Sequence, residues 1–275
     1  MTDSAPRETT LSLLGADEPA AVEIINADGT GSAVLVCDHA SNRVPQRLDR
    51  LGLDAVQLAE HIGWDPGAAD VARLLSGYLD APLVLSGYSR LVIDCNRSPS
   101  SPESIAEQSA GVPIPGNRGL SIEERTMRLD ALFRPYHDAI GRLLDRRSHR
   151  PSLLLSIHSF TPVLNGQARP WQLGVSSWRD HRLEALMLRA LARGGDLIVG
   201  DNEPYPIEED VDYTIPVHGA GRGLPSVMIE IRQDGIQTAA GVAALASRLA
   251  EAYRLIEAGA LAFFRSSSGG SSRSG

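Results

Sequence analysis

Lysine is missing from this sequence; all 26 of its basic residues are arginine. Chemistries that need a primary amine are therefore excluded. A phosphate-cradling P-loop requires its lysine, a pyridoxal or Schiff-base enzyme a lysine amine, and a Ser-x-x-Lys hydrolase a lysine partner. Cysteine is nearly as scarce. Cys37 and Cys95 are too few for a disulfide framework or a cysteine-built zinc site, and their apolar flanks suit small buried side chains. No apolar run approaches the roughly 18 residues of a membrane span, so no membrane partner is expected. The first residues lack a basic stretch followed by an apolar core, and the expected location is cytoplasmic. The formal charge is −8, and no basic cluster marks a nucleic-acid partner. His-Glu-x-x-His, Gly-x-Ser-x-Gly and a helix-opening Gly-x-Gly-x-x-Gly are all absent.

What is present reads as one large domain. Of 275 residues, 43% are hydrophobic and 22% charged, as in ordinary globular proteins. Residues 1–17 and the Gly/Ser tail 266–275 are expected to be flexible termini around a catalytic domain over 18–264. Apolar runs predict strands at 33–37, 82–85, 91–93, 153–157 and 227–231. Helical periodicity covers 54–62, 66–79, 121–147, 182–193 and 239–264. Ser121 and Glu124 form a capping box, and Pro135 should kink or split its helix. Strands alternating with helices predict an α/β fold with a largely parallel or mixed central sheet flanked by helices. Two long irregular stretches, 98–119 and 200–225, are expected to cover a site.

Chemistry collects where the strands end, which is where open α/β sheets bind ligands. The strand at 33–37 runs into Asp38-His39, 91–93 leads to Asn96-Arg97, 153–157 into His158, and 227–231 carries Glu230 and Arg232. Two histidines on neighbouring strand ends predict a divalent metal site with His39 and His158 as ligands. Asp65 is the preferred third ligand, although Asp-Pro is also a common helix start. Asn42 has a suitable spacing but a weak donor, and Asp38 suits an outer partner that orients a histidine. Glu230, in an otherwise apolar strand, is a candidate general base because burial raises a carboxyl pKa. Arg90, Asn96, Arg97, Arg118 and Arg232 are candidates for binding a small anionic substrate, arginine being a natural carboxylate clamp. His218, in the second long loop, is a candidate proton donor or oxyanion partner. His61, His137, His149 and His181 carry no assignment.

Five segments together resemble the N-formylglutamate amidohydrolase family. They are Cys37-Asp38-His39-Ala40-Ser41-Asn42, Gly63-Trp64-Asp65, Tyr88-Ser89-Arg90 through Asn96-Arg97, Ile157-His158-Ser159-Phe160-Thr161-Pro162, and Glu230-Ile231-Arg232-Gln233-Asp234. The similarity spans roughly residues 20 to 260. It implies a phosphorylase/hydrolase-like fold similar to zinc carboxypeptidases and zinc-dependent release of formate and glutamate from N-formylglutamate. By position it makes His39 and His158 zinc ligands, Glu230 the base and Asn96-Arg97 the carboxylate-binding pair. Those peptidases carry glutamate three residues after the first histidine, where this chain has Asn42, which leaves Asp65 as third ligand. Cobalt, nickel or manganese suit the same donors as Zn2+. The alternatives are a hydrolase of another N-acyl amino acid or peptide, and a non-catalytic binding protein for acidic metabolites.

Overall fold

Seven strands join into one sheet in the computed structural model, which describes residues 12–267. They are β1 (Val22–Ile25), β2 (Ala33–Cys37), β3 (Leu83–Ser86), β4 (Leu153–Phe160), β5 (Leu173–Ser176), β6 (Val199–Asp201) and β7 (Ser226–Arg232). Their spatial order is β1-β3-β2-β4-β7-β5-β6. The central four, β3, β2, β4 and β7, are mutually parallel, while β1 and β5 pair antiparallel at either side. The expected mixed, mostly parallel sheet is what forms.

Strand alternation assigns the two faces. Ala33, Leu35 and Cys37 on β2, Leu153, Leu155 and Ile157 on β4, and Val227, Ile229 and Ile231 on β7 pack into one cluster. Helices α1 (Ala68–Leu79), α4 (Arg182–Leu191) and α5 (Ala239–Ser267) cover that face. The intervening residues Val34, Val36, Leu154 and Met228 face the other way, onto Tyr136, Ile140 and Leu143. Those three belong to α3 (Arg134–Arg146), which follows α2 (Ile122–Arg128). The same alternation carries Asp38, Ser156, His158 and Glu230 to the α3 side, at the carboxyl end of the parallel strands.

The Ser121/Glu124 capping box forms as expected. Pro135 does not split its helix. The chain widens into a π-turn over Leu129–Phe133 just before it, which accommodates the proline's missing amide hydrogen without a break. The predicted strand at 91–93 is instead a buried turn. Asn117 Nδ2 donates to Leu91 O at 2.8 Å and Arg128 Nη1 to Val92 O at 3.0 Å, so side chains satisfy the carbonyls that a ladder would have used. Strands β1, β5 and β6 were not anticipated, because β1 is a half-exposed edge and Gly174 and Gly200 interrupt the other two.

Of the termini expected at 1–17 and 266–275, residues 1–11 and 268–275 lie outside the described residues. Leu13 is buried against Leu51 and Tyr88, so packing begins before residue 18. Among the described residues, no helix is long and apolar enough to cross a membrane.

Candidate active site

His39 lies two residues beyond β2, and His158 is the sixth residue of β4. Asp65 joins them from the turn before α1. Its amide donates to His39 O at 3.0 Å, and its Oδ2 faces His39 Nδ1 at 3.3 Å and His158 Nδ1 at 2.9 Å. The helix-start alternative for Asp65 is not what forms, since Gly67, in the left-handed region at φ 80°, is the N-cap residue and α1 has no side-chain cap. The far nitrogens of both rings meet carboxylates: His39 Nε2 donates to Asp94 Oδ1 at 2.7 Å and His158 Nε2 to Asp38 Oδ2 at 3.0 Å. Asp38 also accepts from Ser156 Oγ at 2.9 Å and Thr214 Oγ1 at 2.6 Å.

Both nitrogens of each ring thus face carboxylates. An imidazole whose Nε2–H is given to a carboxylate presents a lone pair at Nδ1. Two such lone pairs and the Asp65 carboxylate then form three converging donors, a set that suits a cation. The three donor atoms lie within 4.8 Å of each other and all three residues are buried. Asp38, Asp65 and Asp94 together outweigh Arg90, the half-buried arginine that pairs with Asp65 and Asp94, by two negative charges. Two imidazoles, a carboxylate and an outer carboxylate on each ring are the donor chemistry of a divalent metal such as zinc. The carboxylates around the two rings also favour their protonated forms. Burial and Arg90 oppose protonation of His39, yet Asp94 and Asp65 raise its pKa; His158 is raised well above its usual value against burial by Asp38 and Asp65. Although burial acts the other way, the histidines hold Asp38 and Asp65, and Arg90 with His39 holds Asp94, below the ordinary carboxylate range.

Glu230 stands opposite His158 in the parallel register of β7 and β4. It is 4% exposed, its Oε2 has no hydrogen-bond partner among the described residues, and burial pushes its pKa up to about 7. His39, Asp65, His158 and Glu230 share one cavity of about 430 Å3 with Arg90, Asn96 and Arg97. Arg90 is committed through Nε and Nη2 to Asp94 Oδ2, at 2.9 and 2.6 Å, leaving Nη1 at 3.6 Å from Asp65 Oδ1. Asn96 gives Nδ2 to Asp212 and accepts from the amides of Tyr213 and Thr214, while Arg97 Nη1 donates to Asp212 Oδ1 at 2.9 Å. Segments of both long loops line the cavity, through Glu103 and through Tyr205, Glu208 and Asp212.

Four residues considered from the sequence are not brought to this cavity. Asn42 lines a separate groove with Arg43 and Trp64. Arg118 is exposed beyond a short 3-10 turn, and Arg232 is drawn aside by Asp234 Oδ1 at 2.8 Å and Arg169 O at 3.0 Å. His218 is buried behind the site against His137. His137 Nε2 donates to Cys95 O at 2.8 Å, so its Nδ1 accepts from His218 Nε2 at 3.0 Å and both rings are neutral. Burial pushes the His137 pKa down to about 4 and that of His218 to about 3. Protons therefore bind the unfolded chain first as pH falls below the usual histidine value of about 6.5, so this contribution to stability is complete above that pH and declines toward pH 4. The unfolding free energy, read from denaturant titrations, should fall across this window by up to about 1.4 kcal/mol per pH unit for each ring. Replacing His218 with leucine should flatten the slope, and an unchanged slope would contradict this.

Asp94, His61 and Arg169 were not anticipated. Asp94 had a legible signal, a carboxylate at the end of the apolar run Leu91-Val92-Ile93, whereas His61 and Arg169 reach the site region only through tertiary packing.

A family profile described as N-formylglutamate amidohydrolase matches residues 31–237. Among solved structures, a gene product from Agrobacterium tumefaciens is 42% identical at a TM-score of 0.85, over 89% of this chain and 99% of that one. An N-formylglutamate amidohydrolase from Ralstonia eutropha JMP134 has the same fold at 19% identity and a TM-score of 0.60, over 87% of this chain and 98% of that one. No curated protein sequence matches the chain.

Proposed function

Because the chain belongs to the N-formylglutamate amidohydrolase family, we propose that it is a zinc-dependent cytoplasmic amidohydrolase that cleaves the N-acyl bond of an acidic N-acyl amino acid. N-formyl-L-glutamate, giving formate and L-glutamate, is the first substrate to test. One observation carries the reading: three converging metal donors, His39 Nδ1, Asp65 Oδ2 and His158 Nδ1, share a cavity with an unpartnered buried carboxylate, Glu230.

His39, Asp65 and His158 would hold the metal. Bound there, a divalent ion supplies Lewis acidity toward the scissile carbonyl and makes water easier to deprotonate. Glu230 takes the proton from the attacking water and delivers it to the nitrogen of the departing amine as the C–N bond breaks. A pKa of about 7 suits both transfers near neutrality. Arg90, which lines the cavity with its Nη1 3.6 Å from Asp65 Oδ1, would offset the negative charge that grows on the carbonyl oxygen. Arg97, held in place by Asp212, and Asn96 orient the substrate carboxylate. Asp38 and Asp94 keep both imidazoles in the ligating tautomer.

Metal-loaded protein should release formate from N-formyl-L-glutamate faster than acetate from N-acetyl-L-glutamate; the reverse order would overturn the substrate assignment. Replacing Asp94 with asparagine should weaken metal binding by about 10- to 100-fold, because His39 then loses its ionised partner. Competition against a chromogenic chelator reads this directly, and unchanged affinity would remove Asp94 from the centre.

A further inference from the structure

Arg90 and Arg97 each have carboxylate partners: Asp94 and Asp65 for the first, Asp212 and Glu103 for the second. Arg169 has none among the described residues. Its side chain lies behind the cavity wall between two rings that line it, 5.5 Å from the Phe160 centroid and 5.0 Å from that of Tyr205. Arg169 is 93% buried, being 7% exposed, and its Nη1 is buried without a hydrogen-bond partner among the described residues. Its backbone is clamped on both sides, the amide donating to Pro162 O at 2.9 Å and the carbonyl accepting from Arg232 Nη1 at 3.0 Å.

Arg169 Nη2 donates to the Tyr205 hydroxyl at 2.8 Å. The phenol oxygen is thereby an acceptor, and its own hydrogen is left to be donated elsewhere, with no acceptor for it among the described residues. A hydroxyl that accepts from a guanidinium is a stronger donor in turn. Tyr205 is held in place as well: Ser176 Oγ donates to its carbonyl at 2.8 Å, and the preceding Glu203 backbone lies so close on Gly174 that a Cβ there would collide with it. The charge of Arg169 also reaches the cavity. It adds to burial and Arg90, against Glu60, in pushing down the pKa of His61 on the cavity lining.

We propose that Tyr205 and Arg169 form the subsite that recognises the side-chain carboxylate of an acidic substrate, with Tyr205 as the contacting donor and Arg169 as the positioning charge behind it. This rests on the amidohydrolase reading above and adds to it the residues that would make the substrate acidic. An uncompensated buried cation attracts an anion, and a neutral side chain would leave it unpaired.

The test compares kcat/KM for N-formyl-L-glutamate with that for N-formyl-L-glutamine, which has the same shape without the charge. In Arg169→Met the glutamate-over-glutamine ratio should fall by about 100-fold, and in Tyr205→Phe by about 10-fold. Arg169→Lys, which keeps the charge, should recover part of the ratio. An unchanged ratio in Arg169→Met, or equal loss on both substrates with a lowered melting temperature, would reduce Arg169 to a structural role and overturn the inference. If the wild type turns over neither substrate, the amidohydrolase reading fails separately, and calorimetric binding of glutarate against its monoamide still decides the subsite. Preference for the dianion that Arg169→Met abolishes supports it; equal binding by the wild type overturns it.

Discussion

Replacing Glu230 with glutamine is expected to lower kcat by about 1,000-fold while leaving the metal in place, since a positioned general base contributes roughly 10²- to 10⁴-fold. Glutamine has the same size but cannot accept the proton. The substitution is structurally mild, because Glu230 Oε2 has no hydrogen-bond partner among the described residues and a buried carboxylate is replaced by a neutral amide. Melting temperature and metal content should therefore stay at wild-type levels. Formate release and metal analysis on the same preparation separate the outcomes. More than a tenth of wild-type turnover would remove Glu230 from proton transfer, and loss of metal would make it a ligand instead.

His158→Ala should abolish stoichiometric metal binding and with it activity. The substitution deletes one of three converging donors, and it also strips Asp38 of its imidazole partner, leaving that fully buried carboxylate on Ser156 and Thr214 alone. Breaking a buried charge pair by removing one partner costs about 3–5 kcal/mol, so the variant should also unfold at lower denaturant concentration. Asp94→Asn, which keeps all three donors, should show the graded loss of affinity described above. If His158→Ala retains one metal per chain, the donor set is wrong.

The site was legible where polar residues interrupt apolar strands. His39 after Ala33–Cys37, His158 within 153–160 and Glu230 within 226–232 stand out because packing alone gives no reason for them there, and the parallel order of β2, β4 and β7 brings them together. His218 misled because a loop position says nothing about burial. The Ile215–Gly219 turn carries its ring inward onto His137, which the sequence offers only as a helical residue. Arg232 misled for a related reason. Alternation places it correctly on the face of Glu230, but it lies at the strand's last position, where Asp234 and the Arg169 carbonyl compete for its guanidinium. Arg169 itself could not be found by pattern, since its setting is made by rings 9 residues before and 36 residues after it.

His39, Asp65 and His158 would assemble the metal centre on which the proposed amide hydrolysis depends. The most direct test is to strip the protein with a chelator, return zinc in measured steps and follow formate release from N-formyl-L-glutamate together with bound metal. The expected result is turnover that vanishes on stripping and rises in proportion to bound zinc, levelling at one equivalent per chain. Turnover indifferent to chelation, or one tightly bound zinc with no formate released, would contradict it, and the second outcome would favour a protein that binds acidic metabolites without cleaving them.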